Sequence, residues 1–286
     1  MRFSHSRINC FKQCPKMFEY KYIKNLYPID GDSTHLIMGK AFHRGIELGD
    51  VNKLEKELDN NNDFLEEGDE TNKVIVLAMV EAFFNKFPHH NEGNVEHEVE
   101  IQTEFGNHPF IMYADALIEE PDGFILREYK TASRIDSTYI DKLQFNDQIS
   151  RYCLAIEKEY HKPVKKIEYY VAKKPLLRQK NGETLEQFRE RLVEKITEDE
   201  ESIQYFELTR TREQLDEDLS DLIYDMDIIS KTTHYTKNLS ACSCYGNCPY
   251  LNLCMKQKDA ELLYEVKEEN DEQTSESEWS HWWTSI

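Results

Sequence analysis

The chain predicts an α/β fold, a small mixed sheet flanked by helices, and two observations carry that expectation. Residues 97–132 contain three consecutive strand-like runs, HEVEIQTEF, FIMYADALIEE and FILREYKTA, separated by short turn segments. Segments with helical spacing of apolar residues stand on both sides: KVIVLAMVEAFFNKF at 73–87 before, residues 140–160 after. A further strand, IEYYVAKK at 167–174, follows the second of these. The order helix, strands, helix, strand, helices belongs to a mixed body without internal repeats.

The remaining elements read in order. Residues 1–30 suggest a helix followed by an aromatic-rich extended stretch. GKAFHRGIEL, 39–48, reads as a helix start. Residues 52–71 are polar and acidic, with Asn60, Asn61 and Asn62 marking a loop. Residues 184–231 are highly charged and read as helical, and a cysteine-rich loop with a short helix follows. One domain is expected over 1–264. The segment 265–286 holds seven acidic residues, one lysine and all three tryptophans, Trp279, Trp282 and Trp283. Few hydrophobics and many like charges predict a disordered tail there.

With 286 residues, 39% hydrophobic, the chain can bury a sizeable core. No stretch approaches the roughly 20 apolar residues of a membrane span, and the first residues lack an apolar signal core. The expectation is a cytosolic protein with no membrane association. The net charge of −20 runs against the basic footprint of phosphate-binding proteins, so any nucleic-acid surface must be a local groove on an acidic body.

The most informative segment is YADALIEEPDGFILREYKTA, 113–132. Pro121 and Gly123 suit a type I turn over Glu120–Gly123, and a four-residue loop pairs Glu119 with Phe124. Counting back, Asp115 falls opposite Glu128, with Lys130 on the same face. Two carboxylates that close repel unless a cation sits between them, and hard oxygen donors favour Mg²⁺ or Mn²⁺. An ion there suits phosphodiester hydrolysis, with Lys130 positioning or activating the water. The same pattern could be a plain surface ion pair, so the helical neighbours matter. His43 and Glu47 share a helix face at i, i+4, and His43 could add a nitrogen ligand. Gln148 and Tyr152 have the same spacing downstream and could orient a phosphate or brace the strands.

Of seven cysteines, Cys242, Cys248 and Cys254 form a compact set, and Cys14 supplies a fourth thiolate from the far end of the chain. Disulfides are a poor explanation in a reducing compartment. Four thiolates fit a structural zinc or an iron–sulfur cluster, and spacing alone does not choose. Cys10 and Cys244 are spare candidates. Such a crosslink closes a loop of more than two hundred residues, worth roughly 5 kcal/mol on a chain-entropy estimate. Lys162, Lys165, Lys166, Lys173, Lys174, Arg178 and Lys180, interleaved with Tyr169 and Tyr170, read equally as a phosphate track with stacking positions or as a solvated strand edge. Lys12, Lys16, Lys21 and Lys24 make a second basic group.

In their order, these motifs resemble the RecB-like branch of the PD-(D/E)XK nucleases that carry an iron–sulfur cluster, which includes the AddB nuclease domain, the CRISPR-associated adaptation nucleases and phage-encoded relatives. The resemblance covers roughly residues 3–258. Its marks are Ser6-Arg7-Ile8-Asn9 through Cys14-Pro15, Gly39 through His43, Asp115, Glu128-Tyr129-Lys130, Gln148 through Tyr152, and Cys242, Cys248 and Cys254. It implies a restriction-endonuclease-like core whose terminal helical segments are joined by a [4Fe–4S] cluster on Cys14, Cys242, Cys248 and Cys254, rather than by zinc. It also implies an Mg²⁺ or Mn²⁺ ion on His43, Asp115, Glu128 and the carbonyl of Tyr129, with Lys130, Gln148 and Tyr152 assisting. The implied activity is DNA cleavage, as an exonuclease on ends or single strands, in recombination, repair or replication in a bacterial or phage-infected cell. The competing expectation is a non-catalytic or partner-dependent DNA-binding subunit on the same fold. A protein partner held through the tryptophan-ending tail is a further expectation.

Overall fold

The computed structural model describes residues 1–29, 34–60, 70–92, 95–243 and 248–267. In chain order these form α1 (His5–Gln13), α2 (Pro15–Phe18), a π-helical turn (Glu19–Ile23), β1 (Leu26–Pro28), α3 (Thr34–Leu48), α4 (Val51–Asn60), α5 (Glu70–Lys86), β2 (Val95–Phe105), β3 (His108–Glu120), β4 (Gly123–Ala132), α6 (Ser137–Leu143), α7 (Asp147–Tyr160), β5 (Val164–Lys173), α8 (Leu185–Glu198), β6 (Ile203–Leu208), α9 (Arg212–Lys231), α10 (Leu251–Cys254) and β7 (Tyr264–Val266).

Five strands make one sheet in the order β2-β3-β4-β5-β6. The β4–β5 pair is parallel and the others are antiparallel. The sheet is therefore mixed, as expected. Parallel pairing of β4 and β5 requires a crossover, which α6 and α7 supply. Lying at the centre of the sheet, β4 is buried on almost its whole length and holds the site rigidly.

Each sheet face has its own core. On one face Tyr129, Tyr170, Ala116 and Ala172 pack with Phe42, Phe83, Phe188 and Leu192 from α3, α5 and α8. On the other, Leu126, Tyr169 and Val171 pack with Ile149, Tyr152, Leu222 and Ile8 from α7, α9 and α1. Gly45 explains how α3 sits so close to its neighbours. A Cβ there would stand 2.6 Å from Val80 Cγ2 and 2.8 Å from Leu54 Cδ2, closer than real carbon atoms approach, so the usual helix penalty for glycine is offset by tight packing.

Several expectations need correction. The aromatic-rich stretch after α1 is helical, not extended: α2 runs into the π-helical turn, closed by the Lys24 amide on the Glu19 carbonyl at 2.9 Å. The acidic segment after residue 51 opens with α4, whose Leu54 and Leu58 are buried one turn apart; its charges hid an amphipathic face. Residues 140–160 are two helices, because Asn146 caps a new one by accepting the amides of Gln148 and Ile149. Residues 184–231 are also broken, by β6. Asp199 turns the chain after α8 by accepting the Glu201 amide and the Ser202 hydroxyl. Ordered chain runs past residue 264, since β7 pairs with β1, Tyr27 opposite Glu265. The rest of the tail, with its tryptophans, lies outside the described residues, as do Cys244 and the Asn61–Asn62 loop.

The β3–β4 hairpin keeps the expected register with a tighter turn. Glu119 faces Phe124, and pairing continues to Glu120 opposite Gly123, leaving Pro121 and Asp122 as a two-residue connection. A side chain at Gly123 would meet the Pro163 carbonyl at 2.5 Å, where the Phe124 amide bonds that same oxygen at 2.8 Å.

Candidate active site

Two strands and two helices carry the predicted site residues. Backbone pairing of β3 with β4 stops at Ala116 opposite Arg127. One residue further, Asp115 takes over with its side chain: Oδ2 accepts the Tyr129 amide at 2.8 Å. Its other oxygen, Oδ1, lies 3.3 Å from Nδ1 of His43, which α3 presents from the same side.

Glu128 and Lys130 are 1% and 0% exposed, and Lys130 Nζ lies 2.5 Å from Glu128 Oε1. Glu128 Oε2 meets no hydrogen-bond donor among the described residues. Burial, then the charge of Asp115, pushes the Glu128 carboxyl well above the usual carboxylate range, against the pull of Lys130. A buried polar atom without a partner costs about 1–3 kcal/mol, so the arrangement is costly unless something else engages that oxygen. Gln148 repeats the pattern. Fully buried on α7, it donates through Nε2 to the Tyr152 hydroxyl at 2.8 Å, while its buried Oε1 has no partner among the described residues. Burial holds the Tyr152 phenol well above its ordinary range, and the Glu128 charge adds to this.

Among the described residues, no three His, Cys, Asp or Glu side chains stand close enough to hold an ion as they are. The donor types still fit a hard divalent cation. Asp115 stands 3.3 Å from His43 and its charge is felt by Glu128, one of whose buried oxygens has no hydrogen-bond partner among the described residues.

Supporting residues carried no recognisable sequence signal. His90 bonds the Tyr129 hydroxyl at 2.7 Å through Nε2, and Arg127 bonds Glu168 at 2.7 Å and the His90 carbonyl at 2.6 Å. Together they fix the far side of β4. His5 is buried on α1, with Nδ1 3.1 Å from Arg151, whose Nη2 also meets Asp147 at 2.8 Å. This ties α1 to the helix carrying Gln148. Glu98, in a left-handed backbone conformation within β2, is crowded electrostatically by Glu47 and Asp115. It falls where the β2–β3 pairing passes from His97 opposite Ala116 to Val99 opposite Ala114 without Glu98, a break that composition does not reveal.

Cys14, Cys242, Cys248 and Cys254 line one cavity of ≈ 100 Å³. Cys14 is buried at the junction of α1 and α2, and its sulfur accepts the Asn238 amide at 3.5 Å. Asn238 Nδ2 also bonds the Gln13 carbonyl at 2.7 Å, so the two ends of the folded chain meet there. Burial pushes the Cys248 thiol up to about 11. Cys10 is buried and does not line the cavity.

The basic stretch divides. Lys162 pairs with Glu119 and Lys165 with Glu120 and Asp122, at the hairpin turn, while Lys166 pairs with Glu168 on its own strand. Lys173 and Lys174 lie at the opposite end of β5, beside Ala132, whose carbonyl accepts the Lys174 amide at 2.8 Å. Burial lowers Lys174 to about 8. Arg178 and Lys180 are exposed in the loop that follows. Tyr169 is buried in the core, and Tyr170 packs in the aromatic cluster of Phe83, Phe87 and His90, so neither ring is available for stacking. In the second basic group, Lys21 is buried, and Lys16 and Lys24 pair with Glu19.

No described helix is long and apolar enough to cross a membrane. Among curated proteins, none matches this chain. Among solved structures, a presumed exonuclease from Eubacterium rectale superposes with a TM-score of 0.56 at 11% identity, covering 90% of this chain and 88% of its own; this establishes a shared fold. The protein SSO0001 aligns over 51% of this chain and 59% of its own, at 17% identity and a TM-score of 0.28. The sequence model of the PD-(D/E)XK nuclease superfamily matches residues 2–255, nearly the whole described body, and the chain belongs to that superfamily.

Proposed function

We propose that this protein is a metal-dependent deoxyribonuclease acting as an exonuclease on DNA ends or single strands. The observation that carries the reading is Glu128: fully buried, under the charge of Asp115, balanced by Lys130, and with one oxygen that meets no donor among the described residues. A stability-driven core has no use for that arrangement.

His43, Asp115, Glu128 and the Tyr129 carbonyl would hold Mg²⁺ or Mn²⁺, which when bound supplies Lewis-acid stabilisation of the phosphodiester and makes water more acidic. The chain's own residues do the rest. Tyr129 N–H fixes the Asp115 carboxylate, so it needs little reorganisation to meet a cation. Lys130 orients the attacking water by donation and counters charge developing on the phosphorane. The Gln148–Tyr152 pair offers its unpartnered Oε1 to that water or to a substrate hydroxyl. Lys173, Lys174 and Arg178 are the candidates for holding the strand's phosphates, since Lys165 is engaged by acids of the hairpin turn and Lys166 by Glu168.

The four cavity cysteines would carry a [4Fe–4S] cluster stapling α1–α2 to the C-terminal segment. Their convergence from both ends of the chain on one cavity supports this over scattered structural cysteines.

The test is cleavage of end-labelled single- and double-stranded DNA with Mg²⁺ or Mn²⁺ by anaerobically purified protein, with Lys130→Ala alongside. Metal-dependent cleavage that the mutant loses supports the reading, and the product ladder gives polarity. Absence of cleavage by cluster-loaded protein sinks it.

A further inference from the structure

The turn between α6 and α7 carries an aromatic side chain that the site described above does not use. Phe145 is 88% exposed, three residues ahead of Gln148. A single exposed apolar residue is ordinary; the way this one is held is not. The half-buried guanidinium of Arg210 reaches from beyond β6 and donates through Nη2 to the carbonyls of Leu143 at 3.1 Å and Asn146 at 3.3 Å. Its Nε donates to the Ser150 hydroxyl at 3.0 Å. Asn146 Oδ1 meanwhile caps α7 on the Gln148 and Ile149 amides, and the Phe145 amide bonds the Lys142 carbonyl at 3.1 Å. The backbone on both sides of Phe145 is therefore pinned while its ring stands in water.

A solvent-facing ring on a pinned backbone, in the turn that leads into the helix carrying Gln148, suits one kind of contact. Every nucleobase has a π-face, and stacking on an aromatic side chain is sequence-tolerant. Within a duplex the base faces are already covered, so only a single strand or a frayed end can offer one. We propose that Phe145 is a base-stacking platform that positions an unpaired nucleotide against the Glu128/Lys130 site and thereby sets a preference for single-stranded DNA; this rests on the nuclease reading above. Pre-pinning by Arg210 removes the entropy cost of ordering the turn on binding.

The experiment is a thermodynamic cycle. Binding of an oligothymidylate and of an all-abasic strand of equal length would be measured by fluorescence anisotropy with Ca²⁺ in place of Mg²⁺, for the full chain and for Phe145→Ala, Phe145→Leu and Phe145→Trp. Because the abasic strand lacks every base, the comparison does not depend on binding register. Stacking predicts that Phe145→Ala and Phe145→Leu weaken binding of the oligothymidylate roughly 5- to 150-fold, leave the abasic strand unchanged, and that Phe145→Trp restores affinity. Equal losses on both strands, or no loss on either, overturn the platform while leaving the nuclease reading intact. Failure of the unmutated protein to bind either strand overturns both.

Discussion

Asp115 and Tyr129 are joined across the hairpin by a 2.8 Å bond from the Tyr129 amide to the Asp115 carboxylate, at the point where backbone pairing of the two strands ends. The carboxylate thus serves the sheet and the site together. Its second oxygen is turned toward His43, so the register of one hairpin aligns donors from β3, β4 and α3.

That convergence predicts stabilisation by divalent ions. Adding Mn²⁺ or Mg²⁺ raises the Tm of the protein, by about 2.7 kcal/mol of added stability at a hundredfold excess over Kd. Asp115→Asn and Glu128→Gln each abolish the shift in differential scanning fluorimetry.

The cysteine cavity predicts a division among the thiols. Cys14→Ser, Cys248→Ser and Cys254→Ser each lose iron, acid-labile sulfide and visible absorption, and their Tm falls. Cys10→Ser and Cys153→Ser, buried elsewhere, keep the full iron content. Iron analysis of the anaerobically purified set checks this; one equivalent of zinc and no iron would replace the cluster with a zinc site.

Gly45→Ala tests how α3 places His43. The added methyl group overlaps Val80 and Leu54, and overpacking of this kind costs about 1–3 kcal/mol. Urea unfolding should show that loss, and the Mn²⁺-induced Tm shift should shrink as α3 is displaced.

His5 predicts an acid-side loss of stability. Burial, then the charge of Arg151, lowers it from 6.5 to about 3 in the folded chain. Protons therefore bind the unfolded chain first as pH falls. The stability present above pH 6.5 is lost progressively from there toward pH 3, with a limiting slope of about 1.4 kcal/mol per pH unit from this one group. Replacement by a group that does not titrate here, His5→Gln, flattens the urea-midpoint profile between pH 6.5 and 4.5 by about one proton. An unchanged profile would show that His5 is protonated in the fold or exposed.

The sequence by itself determined the hairpin and its contents. Side-chain alternation has period two, so pairing Glu119 with Phe124 put Glu128 and Lys130 on one face, and a tighter turn did not alter the register; Asp115 lies past the last pair and is held by its bond to the Tyr129 amide. Helical spacing likewise put Gln148 and Tyr152 together, because i and i+4 are neighbours on any helix. These are local rules, and local rules are legible in a linear string. The strand β6 and the helix α4 were not legible, since their charges masked buried faces that only neighbouring elements define. Tertiary structure alone decided that Lys165 is occupied by the acids of the turn and Lys166 by Glu168, while Lys173 and Lys174 flank the far end of β5. It alone decided that Tyr169 and Tyr170 are core residues, that His5 braces Arg151, and that Arg210 pins the turn bearing Phe145. Each of these joins groups far apart in the chain, and the energy of such a contact depends on burial and distance that only the folded packing sets.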